Sequence, residues 1–146
     1  MAIEDYTTAL TYAETEEDRA SVHYQRGLAY RETGQPEAAL DDLTAAVEIN
    51  PEYTDAYFTR GLVYQKSGNA NAAIADYSRV IELDPQNAEA YHNRGLLYRK
   101  NGNDYLAIRD YDRALEIKPN YTKAFVNRSY AYLVPLLPLL LLLVLG

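Results

Sequence analysis

Four arginines, Arg26, Arg60, Arg94 and Arg128, stand 34 residues apart, and four aspartates, Asp5, Asp42, Asp76 and Asp110, recur beside them. A guanidinium is a planar fork that can give two parallel bonds to a carboxylate, so such columns suit either a ladder of ion pairs or a row of cations gripping an acidic ligand. Spacing separates the two. Arg94 lies three residues after Tyr91 and four before Tyr98, sharing a helical stripe with them and with Gly95. Asp76 lies three residues after Ala73 and four before Val80, so its column also faces inward. Two inward columns of opposite sign predict pairing, not ligand capture. Pairs within a repeat would be Arg26–Asp42, Arg60–Asp76 and Arg94–Asp110, leaving Asp5 and Arg128 alone. Pairing each aspartate with the next repeat's arginine uses all eight residues and is the arrangement expected: Asp5–Arg26, Asp42–Arg60, Asp76–Arg94 and Asp110–Arg128.

Other chemistry finds little to work with. The chain has no cysteine, which removes disulfides, thiolate metal sites and cysteine nucleophiles. His23 and His92 fall in different repeats at different positions, His23 in place of a packing aromatic. Glu14, Glu16, Glu17 and Asp18 form a solvated connector without metal spacing, with Thr15 or Asp18 as a helix cap. The six internal glycines all belong to the repeat, so no phosphate-binding loop remains. A net charge of -7, from 14 Lys+Arg against 21 Asp+Glu, argues against nucleic acid as a partner. No enzymatic activity, cofactor or metal is expected.

The elements that position these residues repeat with a period of 34. Blocks 20–53, 54–87 and 88–121 align in register. Gly27, Gly61 and Gly95 fill block position 8, Gly34, Gly68 and Gly102 position 15, and Pro51, Pro85 and Pro119 position 32. Positions 4, 8 and 11 make one face of a helix A, and positions 20, 24 and 27 one face of a helix B. A small residue at position 8, opposite Ala39, Ala73 or Ala107 at position 20, lets the helices approach closely. The glycine at 15 suits a left-handed turn ending helix A, and the proline at 32 stops helix B. Each block is a helical hairpin that buries its apolar face only by stacking on its neighbours. Residues 2–10 align with the helix B segment 73–81, so 1–16 is read as helix B of a truncated repeat and 122–133 as helix A of a last one. The chain thus reads as a fragment of a longer array or as one that caps itself unusually.

These columns resemble the tetratricopeptide repeat family, with Tyr91, Gly95, Tyr98, Ala107, Tyr111, Ala114 and Pro119 at its signature positions. Arginine at position 7, where the family favours leucine, and His23 at position 4 depart from its pattern. The resemblance covers roughly residues 1–133 and implies an all-α fold, a right-handed superhelical array of antiparallel helix pairs. It also implies a non-catalytic scaffold that binds a peptide or partner segment in a concave groove lined by helix A. At position 5 this groove would hold Tyr24, Phe58, His92 and Val126, and at position 9 Leu28, Leu62, Leu96 and Tyr130. Its rim would include Asn93 and Asn127, to bond a peptide backbone, with Arg31, Lys66, Arg99 and Lys100 favouring an acidic segment. The competing reading of this apolar ladder is packing between repeats. The family's clamp for a C-terminal carboxylate is not expected: its positions hold Tyr24, Leu28, Thr59, Glu89 and Asn93 in one register, and Phe58, Leu62, Asn93, Lys123 and Asn127 in the next.

Residues 134–146 are leucine-rich, uncharged and interrupted by Pro135 and Pro138. The run is shorter than the roughly 20 residues of a bilayer span. It reads as a short helix, 139–145, covering the end of the stack, with membrane tethering or a segment foreign to the natural protein as alternatives. A second function therefore stays open: a self-assembling element driven by the open repeat ends or this tail. The N-terminus carries no secretory pattern, and with the absent cysteines this points to a cytoplasmic protein. The matches to the glycosylation pattern at Asn120 and Asn127 are then accidental.

Overall fold

The computed structural model describes residues 2–133. Eight helices account for nearly all of them: α1 (Ala2–Tyr12), α2 (Glu16–Glu32), α3 (Pro36–Ile49), α4 (Thr54–Lys66), α5 (Ala70–Leu83), α6 (Ala88–Lys100), α7 (Asp104–Ile117) and α8 (Thr122–Leu133). There is no strand among the described residues. The leucine-rich tail and the helix expected there lie outside them. The chain divides between Asp84 and Pro85 into two compact units, the first holding α1–α5 and the second α6–α8. Within each unit, consecutive helices pack on one another.

Local signals explain the hairpins. After α4, Gly68 takes φ +82°, a left-handed conformation closed to ordinary side chains, and Gly34 and Gly102 do the same after α2 and α6. In the first of these turns the Gly34 N–H donates to Arg31 O and the Gln35 N–H to Tyr30 O, the paired bonds of a Schellman turn. Asn69, Asn87 and Asn103 cap α5, α6 and α7 by accepting from Ala72, Ala90 and Leu106 N–H. Thr15 caps α2, accepting from Asp18 N–H at 3.0 Å and donating to its carboxylate at 2.7 Å. Glu16, Glu17 and Asp18 are therefore the first turn of α2, not a connector, and their charge suits the positive end of the helix dipole.

The helix-interior glycines mark the closest approaches. A Cβ on Gly61 would stand 2.9 Å from the Tyr77 ring, on Gly95 2.8 Å from the Tyr111 ring, and on Gly27 2.9 Å from Leu43. Tyr77, Tyr111 and Leu43 are the largest fully buried side chains among the described residues, so each hairpin core sits where helix B meets that glycine.

The ion pairs form inside the repeats, which corrects the expected inter-repeat pairing. Arg60 Nε and Nη2 bind Asp76 Oδ2 and Oδ1 at 2.9 and 2.7 Å. Arg26 holds Asp42 at 2.7 and 2.7 Å, and Arg94 holds Asp110 at 2.8 and 2.8 Å. The reach to the preceding helix goes to block position 25 instead of 23. Arg60 Nη1 donates to Thr44 Oγ1 at 3.1 Å, and Arg26 Nη1 to Thr7 Oγ1 at 3.0 Å. Arg128, which has no helix B of its own among the described residues, donates through Nη1 to Asp112 Oδ1 at 2.6 Å. Asp112 is itself at position 25, where Thr44 and Ser78 stand in earlier blocks. Asp5 is exposed, and Arg26 passes it by. His23 also differs from expectation: its Nδ1 bonds Asp42 Oδ1 at 2.8 Å, so it shares the ion pair as well as the packing.

The tyrosine columns follow from these pairs. The Arg60 guanidinium lies 5.5 Å from the Tyr57 ring and 5.9 Å from that of Tyr64, and Arg94 lies 5.8 and 5.7 Å from Tyr91 and Tyr98. Rings at positions 4 and 11 flank the cation at 7, replacing water with polarisable faces. Hydrogen bonds to Asp76 hold Arg60 above its ordinary pKa against the cost of burial.

Candidate peptide-binding surface

In the first unit, the C-terminal ends of α2 and α4 and the turn after α2 frame an open trough of about 1040 Å³. Leu62 and Val63 supply its apolar part, Arg31 and Lys66 its cations, and Glu32, Gln65 and Ser67 its other polar groups. Position brings these together. Arg31 and Gln65 both occupy block position 12, in the last turn of helix A, while Leu62 lies one turn earlier on α4. Arg31 is only loosely paired, its Nη2 lying 4.0 Å from an exposed Glu32 carboxylate. A surface pair of that length contributes little and leaves the guanidinium open to a better acceptor. Lys66 is exposed. Gln65 is committed, its Oε1 accepting from the Tyr77 hydroxyl at 2.7 Å.

Of the first unit's expected groove residues, the trough thus gathers Arg31, Leu62 and Lys66. Tyr24 and Phe58 turn to packing: Tyr24 lies 4.9 Å from the Tyr53 ring within the cluster of Ala46, Val47 and Ala56, and Phe58 lies 5.7 Å from Tyr77. Leu28 is half-buried, and Thr59 is buried. Glu32, Gln65 and Ser67 were not anticipated as lining. Their signal was the recurrence of polar residues at positions 12 to 14, which spacing alone assigns to a helix end.

In the second unit, His92 is a buried packing residue and not an open groove position. Its ring lies 4.9 Å from Tyr121 and 5.9 Å from Tyr111. Asn127 Nδ2 stands 3.0 Å from Nε2 and Asn93 Oδ1 3.3 Å from Nδ1, so both nitrogens are satisfied by a neutral ring protonated at Nδ1. Burial pushes the His92 pKa below 6.5, in agreement. Asn93 and Asn127 are therefore engaged with the histidine. Leu96 packs on the cluster of Ala107, Tyr111 and Ala131. Arg99 lies 5.9 Å from the Tyr130 ring. Lys100 is exposed, as are Val126 and Tyr130, at 48% and 54%.

Among the described residues, no group of histidine, aspartate or glutamate side chains could hold a metal ion. No described helix is long and apolar enough to cross a membrane.

Comparison with known proteins agrees with this geometry. The "TPR repeat" profile matches residues 27–68 and 66–102, and the "Tetratricopeptide repeat" profile matches residues 88–121. Among solved structures the chain is similar to MamA, at 27% identity over 89% of this chain and 74% of that one, with a TM-score of 0.83. It is also similar to YrrB, described as a TPR protein with an unusual peptide-binding site, at 28% identity and a TM-score of 0.76. That match covers 87% of this chain and 64% of YrrB. The first TPR of Spaghetti, solved with an HSP90 peptide, shares the fold at 23% identity and a TM-score of 0.77, over 81% of this chain and 94% of that one. No curated protein matches the chain significantly.

Proposed function

Because the chain belongs to the tetratricopeptide repeat family, we propose that it is a cytoplasmic interaction module whose first unit receives a carboxylate-bearing peptide in the trough between α2 and α4. The family is generally a non-catalytic scaffold. The observation that carries the reading is the placement of two cations, the loosely paired Arg31 and the exposed Lys66, beside the half-buried Leu62. Cations on an apolar floor favour a segment that alternates acidic and apolar side chains. The likeness to YrrB, whose description includes a peptide-binding site, supports a peptide as the ligand.

The test is an array of short acidic, neutral and basic peptides probed with the labelled chain. Acidic–apolar peptides should bind best, Lys66→Glu should remove the preference for acid, and Leu62→Glu should abolish capture with helicity intact. Binding unchanged by both substitutions rules out the trough.

A further inference from the structure

The stripe on α1, with Ala2 and Asp5 exposed and Tyr6 and Ala9 half-buried, and the open face of α8 match in residue type the two halves of a hairpin. In α3 the stripe of positions 20, 23, 24 and 27 is buried, as Ala39, Asp42, Leu43 and Ala46. Position by position, the same stripe of α1 carries Ala2, Asp5, Tyr6 and Ala9. No residue of α1 is buried, and Asp5 makes no ion pair among the described residues. On α8 the face that α2, α4 and α6 turn to their helix B is open. Phe125 is 43% and Tyr132 53% exposed, and Arg128 lies 5.3 Å from the Phe125 ring and donates its one hydrogen bond among the described residues through Nη1. Among the described residues its Nε–Nη2 edge has no carboxylate, although Arg26, Arg60 and Arg94 each use that edge for one.

We infer that α8 of one copy takes α1 of a second copy as its helix B, with the second copy's Asp5 in the open fork of Arg128 and its Tyr6 between Phe125 and Tyr132. Charge complementarity argues for a second copy. The open fork needs an inward carboxylate one residue before an aromatic, and α1 presents that sequence unpaired. The helices also match in length, at 11 and 12 residues. Ser129 stands where the other hairpins have glycine. Its Cβ would crowd an aromatic seated as Tyr77 and Tyr111 are, so α1 sits farther out than an in-chain helix B and the joint is weak and reversible. The contact joins unlike surfaces of two copies, so it links copies end to end, as open chains or as closed assemblies. The inference is independent of peptide binding in the trough.

Sedimentation of the full chain over a concentration series tests it. The wild-type mean mass should rise with concentration above that of the monomer. Asp5→Arg, an exposed change that breaks no existing pair, should need at least tenfold higher concentration for the same mean mass. Added at a tenth of the wild-type concentration, it should shorten wild-type assemblies by capping one end. Phe125→Glu, on the opposite face of the joint, should weaken growth equally, with circular dichroism confirming that both variants fold. A wild type that stays monomeric overturns the inference. So does growth that Asp5→Arg leaves unchanged.

Discussion

In the hairpin of α4 and α5 the Tyr77 hydroxyl donates to Gln65, whereas in that of α6 and α7 the equivalent Tyr111 hydroxyl is buried with no partner. The backbones are otherwise built alike: the same glycine contact, the same forked ion pair, the same flanking tyrosines. One residue makes the difference. Position 12 is Gln65 in the first case and Arg99 in the second, and arginine has no acceptor to offer. Arg99 lies over Tyr130 instead, and burial pushes the Tyr111 pKa up to about 12, so the phenol stays protonated at any ordinary pH. A second difference is at position 5, where Phe58 needs no hydrogen bond and His92 needs two. What the hairpins share holds each helix pair together, and what they do not share is where the repeats differ in tolerance and in response to pH.

The largest effect should come from a shared feature and be equal in both hairpins. Asp76→Ala and Asp110→Ala each leave a mostly buried guanidinium without its acceptor and should cost roughly 3 kcal/mol in chemical denaturation, toward the low end for a buried pair because the arginines keep some contact with solvent. A double-mutant cycle should find strong coupling between Asp76 and Arg60. Additive losses for that pair would contradict the in-repeat geometry.

Removing the tyrosine hydroxyls should split the hairpins in sign. Tyr77→Phe loses a satisfied bond and should destabilise by about 1 kcal/mol, while Tyr111→Phe relieves an unsatisfied group and should be neutral or stabilising. Arg99→Gln should restore the missing acceptor and make Tyr111→Phe as costly as Tyr77→Phe. Equal losses from the two tyrosines in the wild type would refute the contrast.

The smallest effect is in pH. Because the His92 pKa is lowered in the folded chain, the unfolded chain binds more protons once pH falls below about 6.5. The stability tied to neutral His92 is complete above that value and is lost as pH falls toward the depressed folded pKa. Subtracting the denaturation curves of His92→Phe from those of the wild type should isolate this slope. A difference that does not vary with pH would mean that His92 is not buried as a neutral ring.

Much of this was legible before any coordinates. The 34-residue columns give the hairpins, the positive-φ glycines and the close contact at position 8, because each depends on residue type at a fixed helical phase. Which aspartate an arginine meets was not legible. Positions 23 and 25 of neighbouring helices both come within reach of one guanidinium, and phase does not give the distance between axes. The Thr7 and Thr44 acceptors are not legible because hydroxyls in a helix read as neutral filler, and Asp112 is not because it stands at position 25, outside the inward column at 23. Tyr24, Phe58 and His92 were placed on an open surface since spacing names the face of a helix but not what lies against it. The half-burial of Tyr24 and Phe58 and the full burial of His92 depend on Tyr53, Tyr77 and Tyr121, each on another element.

The three-way bonding of the arginine fork also bears on how such a chain can lengthen. Arg60 meets one partner 16 residues ahead and another 16 residues behind, so duplicating a whole 34-residue block leaves every fork with both acceptors. An insertion within a hairpin would shift one partner out of phase. An insertion between hairpins need not: Arg26 still reaches Thr7, 19 residues back, with the three additional residues taken up outside the fork. Growth by whole blocks, and variation of length at the joints between them, are the two changes this bonding tolerates.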